Sequence, residues 1–174
     1  MSRLGPVWGI RLLSSLAALV VVLAALSLIP VEAEGVPAGA DGADGAALVV
    51  ANRGGTVLGE LPLDNTREFR VTFIHSSERH PWVNVFLVAG VEMVLKEIRV
   101  PSTGPGVPSV VEPGWHVTIV DGWIVYSGVD RPYEELVFLL SDISPHIVEA
   151  GGVSYDLVSL FGDGTLVRLR VAAQ

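Results

Sequence analysis

Short apolar runs alternate with turn-forming residues from Ala47 to the end of the chain, a pattern typical of an all-β protein. The runs are rich in Val, Ile, Leu and aromatic residues, and clusters of Gly, Pro, Asp and Asn separate them. We expect an antiparallel β-sandwich or a partly open barrel of about 9–10 strands. The segments that fit strands are ALVVANR, TVLGELPL, EFRVTFIHS, WVNVFLV, EMVLKEIRV, WHVTIV, WIVYS, ELVFLL, YDLVSLF and TLVRLRV.

The clearest turn signal lies in TIVDGWIVY, residues 118–126. Asp121-Gly122 suits the two positive-φ positions of a two-residue hairpin turn, which would place Ile119 opposite Ile124.

Other local patterns predict further turns and one exposed strand face. Residues 162–164 of LFGDGTLV predict a second hairpin, and residues 88–90 predict a turn between two strands. Helix is expected, if at all, only within residues 131–140. The last strand alternates apolar with basic positions, so one of its faces should be buried and the other exposed to solvent. The apolar positions are Val167, Leu169 and Val171, and the basic ones are Arg168 and Arg170.

An uncharged apolar run occupies residues 12–30, preceded by Arg3 and Arg11. As a helix it would be roughly 28 Å long, close to the thickness of a bilayer's hydrocarbon core. The arginines before it and the acidic residues after it predict a single-pass protein of the cytoplasmic membrane, with its N-terminus inside and the rest outside. The alternative is a signal peptide cleaved near Ala33, which would release a secreted protein. Both alternatives export the remainder.

The chain therefore divides into a signal-anchor or signal-peptide helix (1–31), a flexible linker (32–46) and an extracytoplasmic β domain (47–174). Residues 34–174 hold 9 basic and 18 acidic side chains, a net charge of −9 that disfavours nucleic acid as a partner. The absence of cysteine excludes disulfides and thiolate chemistry.

The polar stretch FIHSSERHPWVNVF, residues 73–86, interrupts two strands. The period of two places His75 on the face of Phe69, Val71 and Phe73, where an imidazole needs a hydrogen-bond partner. Ser76, Glu78 or a backbone carbonyl would supply one. His75 is then either a satisfied core histidine or a residue that binds a ligand or handles a proton.

Two neighbouring features extend this candidate site. Glu78 and Arg79 precede Pro81, either as solvated turn charges or as part of a site, and Trp82 is either core or a ligand platform. The Pro- and Gly-rich loop 99–115 is either functional or a rigid crossover. We predict that this loop and the His75 segment converge on one pocket. The loop's candidate residues are Ser102, Gly104, Gly106 and Pro108.

The remaining candidates point less clearly to chemistry. Arg131 would bind a ligand carboxylate or pair with a neighbouring acid, Asp130, Glu134 or Glu135. The sequence predicts no cofactor and no metal; a zinc site of His75, His80 and Glu78 is the alternative. Ser76 adjoins His75, but neighbours on a strand face opposite ways, which argues against a nucleophile and its base.

Three stretches of this chain resemble a prokaryotic family of small exported proteins, the domain of unknown function 1850. They are FIHSSERHPWVNVF, PSTGPGVPS and DGWIVYSGVDRPYEELVF, and the resemblance extends over roughly residues 48–172. The family's pattern falls on His75, Ser76, Pro81, Ser102, Gly104, Gly106 and Pro108. The chain departs from it at Phe73, Val83 and Asn84, where relatives carry an aromatic hydroxyl and acidic residues. A metal site built on those acids would be absent here.

Members of that family are often encoded beside TRAP transporters of the TAXI type. The resemblance therefore implies a non-enzymatic extracytoplasmic accessory or binding module for a TRAP-type transporter of small organic acids. Its partners would be the membrane, through residues 12–30, and a permease or substrate-binding subunit. The alternative is a hydrolase or metal-dependent enzyme centred on His75 and Glu78.

Overall fold

The computed structural model describes residues 45–172, which form eleven strands and one short helix. The helix predicted for residues 1–31 and nearly all of the predicted linker lie outside these residues. Within residues 45–172, no helix is long and apolar enough to cross a membrane. The elements are β1 (Ala47–Asn52), β2 (Val57–Pro62), β3 (Glu68–Ile74), β4 (Pro81–Ala89), β5 (Glu92–Val100), β6 (His116–Val120), β7 (Trp123–Tyr133), β8 (Leu136–Leu139), β9 (Ile147–Ala150), β10 (Val153–Asp156), α1 (Leu157–Phe161) and β11 (Leu166–Val171).

The strands form two antiparallel sheets that share one core. The smaller sheet has the order β2-β1-β11-β8, and the larger has the order β10-β9-β3-β4-β5-β7-β6. In several strands of each sheet, alternate residues are buried, as the period of two predicts. The smaller sheet contributes Leu48, Val50, Val167 and Leu169 to the core, and β3 of the larger sheet contributes Phe69 and Val71. The all-β prediction is confirmed, and neither described sheet closes on itself.

The predicted hairpin at Asp121-Gly122 is confirmed. Both residues have positive φ, 50° and 82°, and Ile119 pairs with Ile124 across β6 and β7. The predicted turn at 88–90 is also present, because β4 ends at Ala89 and Gly90 has a φ of 64°. Arg168 and Arg170, on the wet face of β11, both pair with Glu135.

Two local predictions were wrong. The segment Leu157–Phe161 is helix α1, because the Asp156 carboxylate accepts hydrogen bonds from the N–H groups of Val158 and Ser159 and caps the helix. Residues 162–164 therefore link α1 to β11 and do not form a hairpin. For residues 131–140, where a turn or two of helix was the alternative to the strand ELVFLL, the structure shows the end of β7 and then β8, so the strand is confirmed.

The strand β9 was not predicted, so the expected count of 9–10 strands was too low. Its four residues are bounded by Pro145-His146 and by two glycines. A run this short shows little periodicity by itself. Its pairing with both β3 and β10 makes it a strand.

The long loop after β5 covers the part of the larger sheet formed by β7. Val107 lies buried in the core, and the Tyr126 hydroxyl donates to the Pro108 carbonyl at 3.2 Å. The Trp115 ring packs edge-on against Tyr126 with centroids 6.4 Å apart. Of the two interpretations left open by the sequence, the structure shows a packed crossover. The functional interpretation of the loop stays a prediction.

Candidate functional site

The connection between β3 and β4 is a tight turn that continues the strand pairing by one step. The His75 N–H donates to the His80 carbonyl at 2.9 Å, and the Arg79 N–H donates to the His75 carbonyl at 2.8 Å. Arg79 has a φ of 56°, which the turn requires. Pro81 is the first residue of β4, a position that tolerates the loss of a donor. The two histidines are thereby placed opposite each other.

The imidazole of His75 is half-buried, as its position on the inward face predicts. Its hydrogen-bond partner is Ser77, whose Oγ lies 3.0 Å from Nδ1. Ser76 is exposed and makes no hydrogen bond among residues 45–172. The expected partners Ser76 and Glu78 were therefore wrong. The turn brings Ser77, two residues after His75, back to the imidazole. Strand periodicity does not predict this contact, because the strand has ended there.

The loop after β5 meets this turn at two glycines. A Cβ added at Gly106 would lie 3.0 Å from Nε2 of His75, and one added at Gly104 would lie 2.7 Å from Cδ of Glu78. Gly106 also has a φ of 84°, which disfavours other residues. The two segments thus meet in the structure, and a pocket formed by them stays a prediction. We call the group His75, Ser77, Glu78, Gly104 and Gly106 the His75 corner.

Three other predicted residues of the loop and β7 lie outside the corner. Ser102 is exposed at the start of the loop. Pro108 is half-buried and anchors the loop to Tyr126. Arg131 pairs with Glu112 at 3.2 Å and lies over the Trp115 ring, 5.9 Å from its centroid.

The expected neighbours of Arg131, Asp130, Glu134 and Glu135, are thus not its partners. Asp130 instead pairs with Lys96, and Glu135 pairs with the two arginines of β11. The guanidinium of Arg131 holds the far end of the loop.

Six aromatic rings pack one after another in a line from the smaller sheet to the His75 corner, and we call this line the aromatic file. Successive ring centroids lie 4.8, 5.7, 6.0, 5.3 and 6.2 Å apart, distances typical of packed aromatic pairs. Trp82 lies within this file, is 9% exposed and donates its indole N–H to Asn84 at 2.8 Å. Trp82 is therefore a core residue and not a ligand platform. In order, the rings belong to Phe138, His146, Phe73, Trp82, His75 and His80.

The file makes stability sensitive to pH through His146. Burial lowers the pKa of His146 from its ordinary value of 6.5, and a contact with the Ser144 backbone offsets part of this. The unfolded chain then binds this proton more readily than the folded one, so stability falls as pH drops through 6.5 and levels off below the folded pKa. The lowered pKa of Asp156 acts only at more acidic pH, below 3.8.

We expect His146→Phe, which keeps the ring packing, to flatten the decline in stability between about pH 7 and about pH 5. Urea unfolding at each pH would measure it, with His116→Gln on the exposed strand β6 as the control. The slope difference should stay below about 1.4 kcal/mol per pH unit, the limit for one proton. An unchanged slope in His146→Phe would assign the pH dependence to other groups.

The hydrogen bond to His75 comes from a hydroxyl. Among residues 45–172 the side-chain partner of its Nδ1 is Ser77, and no carboxylate hydrogen-bonds to the imidazole. Within the same residues, no three His, Cys, Asp or Glu side chains are grouped as metal ligands, so His75, His80 and Glu78 are not brought together in that way. The corner offers hydrogen-bonding groups on a rigid support.

The described residues form a small β domain of two packed antiparallel sheets. A half-buried histidine lies at one of its tight turns, and a glycine-containing loop packs against that turn. The chain matches the family model described as Domain of unknown function (DUF1850) over residues 69–157, and it belongs to that family. This match is narrower than the resemblance over 48–172, yet it spans β3 to β10 and hence every strand of the larger sheet. No curated protein and no solved structure matches the chain.

Proposed function

We propose that this protein is a non-enzymatic extracytoplasmic accessory module, linked to a TRAP-type transporter for small organic acids, and that it contacts its partner through the His75 corner. The observation that carries the proposal is the seating of Gly104 and Gly106 against Glu78 and His75. Two loops held this closely form a surface of defined shape. Export is supported by the arginines and the uncharged run at the N-terminus.

The packing of the corner favours a protein partner over a small acid at this point. Gly106 occupies the space directly in front of Nε2 of His75, and the Glu78 carboxylate would repel an anion. Beyond the corner, the loop is anchored by Val107 in the core and again by the Arg131–Glu112 pair. Little ordering is then required when a partner binds, which favours affinity.

The test is copurification of the full-length chain from membranes with the permease or the substrate-binding subunit of a TRAP transporter encoded beside it. We expect Gly106→Ala to reduce recovery of the partner at least about tenfold, because displacing the loop by a few tenths of an ångström alters the surface. Gly55→Ala is the matched control: its φ is 87°, close to that of Gly106, and no atom lies within 4 Å of the added Cβ.

Equal recovery of the partner by wild type and Gly106→Ala would remove the corner from the interface. Purification of the wild-type chain alone from membranes that contain the transporter would contradict the accessory role itself.

A second candidate, a hydrolase or metal-dependent enzyme centred on His75 and Glu78, is favoured by one observation, the 3.0 Å contact of Ser77 Oγ with His75 Nδ1. It predicts that an ester substrate is hydrolysed or that a stoichiometric metal is bound, and that His75→Ala abolishes either property. Elemental analysis and an ester-hydrolysis assay on the purified full-length chain distinguish the two functions.

A further inference from the structure

The outer face of the larger sheet carries a groove of about 570 Å³, a size typical of small-ligand sites. Its floor is one row of directly paired residues that crosses five strands. Neighbouring strands lie about 4.8 Å apart, so this row is about 19 Å long. The row consists of Thr72, Val83, Arg99, Val125 and Thr118 in that order, and we call the groove the outer-face groove. None of the His75 corner residues lines it.

Several hydrogen-bonding groups along the groove are unused within the protein. The hydroxyls of Thr72, Thr118 and Ser127, the indole N–H of Trp123 and the carboxylate of Asp121 line it, and none makes a side-chain hydrogen bond or ion pair among residues 45–172. Donors and acceptors are both present, and they alternate with apolar valine surface. Trp123 is half-buried at one end, where its ring can present a flat apolar surface.

The charges of the groove disfavour an anionic ligand. Arg99 is held by Glu97 at 2.6 Å, and Arg70 lies 3.1 Å from Glu68 and 3.7 Å from Glu149. With Asp121 added, the charged groups lining the groove sum to −1. Residues 45–172 contain nine basic and fifteen acidic side chains, so the surrounding field is negative as well.

We propose that the outer-face groove binds a neutral oligosaccharide. A sugar chain has an apolar C–H face that packs on an indole ring, and its hydroxyls both donate and accept hydrogen bonds. The groove offers a tryptophan, free hydroxyls, a free carboxylate and paired guanidinium groups. Its floor of about 19 Å has room for several sugar units. Because the floor is built from five directly paired strands, the groove is preformed, and little ordering accompanies binding.

The test is isothermal titration of the full-length chain in detergent with maltotriose and with N,N′,N″-triacetylchitotriose, and with succinate as the anionic probe. We expect one of the two trisaccharides to bind and succinate not to bind. Trp123→Ala should weaken sugar binding at least about tenfold, and Trp115→Phe, outside the groove, should leave it unchanged.

Thr118→Ala, on the exposed strand β6, serves if Trp123→Ala fails to fold, and it should weaken binding about threefold to tenfold. Thr103→Ala, in an exposed part of the long loop, is its matched control. The proposal is overturned if neither trisaccharide binds, if succinate binds in their place, or if sugar binding survives both groove variants. None of these results bears on copurification with a transporter, so the two proposals fail separately.

Discussion

Gly128→Ala is expected to lower the free energy of unfolding by about 2–5 kcal/mol, more than the same change at any open turn. Gly128 lies in an irregular part of β7, where Ser127 pairs with Glu97 and Arg131 pairs with Leu95. Its φ is 72°, and an added Cβ would lie 2.5 Å from the Gly114 carbonyl oxygen. Backbone strain and a clash with backbone therefore add together, and the long loop would have to move.

Gly122→Ala is the matched control within the same strand pair. Its φ is 82° and no atom lies within 4 Å of the added Cβ, so only the strain of about 1–2 kcal/mol is expected. Urea unfolding followed by circular dichroism measures both. Equal losses of stability in Gly128→Ala and Gly122→Ala would show that the Gly114 carbonyl does not pack closely against β7.

Trp82→Ala should cost about 3–5 kcal/mol of stability, because it removes a buried ring from the middle of the aromatic file. The rings of Phe73 and His75 lie against it at 6.0 and 5.3 Å. The change also leaves Oδ1, the side-chain oxygen of the half-buried Asn84, without its hydrogen-bond donor. We expect the loss of stability to be accompanied by loosening of the His75 corner.

Two comparison variants separate the contributions of Trp82. Trp82→Phe keeps ring packing and removes the hydrogen bond to Asn84, which should cost about 1 kcal/mol plus the smaller ring's lost burial. Trp123→Ala, on the outer face, should cost clearly less than Trp82→Ala because Trp123 is only half-buried. Chemical unfolding of all three, monitored by circular dichroism, gives the ranking. A Trp82→Ala protein as stable as Trp123→Ala would contradict the assignment of Trp82 to the core.

Gly128→Ala and Trp82→Ala both test how the long loop and the turn between β3 and β4 are held in place. Gly128 and Gly114 fix the far end of the long loop, and the aromatic file supports the turn onto which its near end is seated. The His75 corner is thus held by packing on the core as well as by its own hydrogen bonds. This support is what a site for a partner requires, because small displacements of either loop would change the surface presented.

Local chemistry was sufficient to predict several parts of the fold. A two-residue period identifies which residues of β3 and β11 face inward, and Asp121-Gly122 specifies a hairpin because its backbone angles suit only a few residues. The seven-stranded order was not predictable, and neither was β9. Four residues carry too little periodicity, and their pairing depends on strands distant along the chain.

The candidate site divides in the same way. Strand periodicity and residue type were enough to predict that His75 lies on the inward face at the end of a strand, and that glycines in the long loop permit a close approach. The folded structure was needed to show that Ser77 is its hydrogen-bond partner, that Gly106 faces Nε2, and that Arg131 pairs with Glu112. Side-chain direction along a strand follows from local backbone geometry, whereas contacts between loops depend on how the sheets order and pack the whole chain.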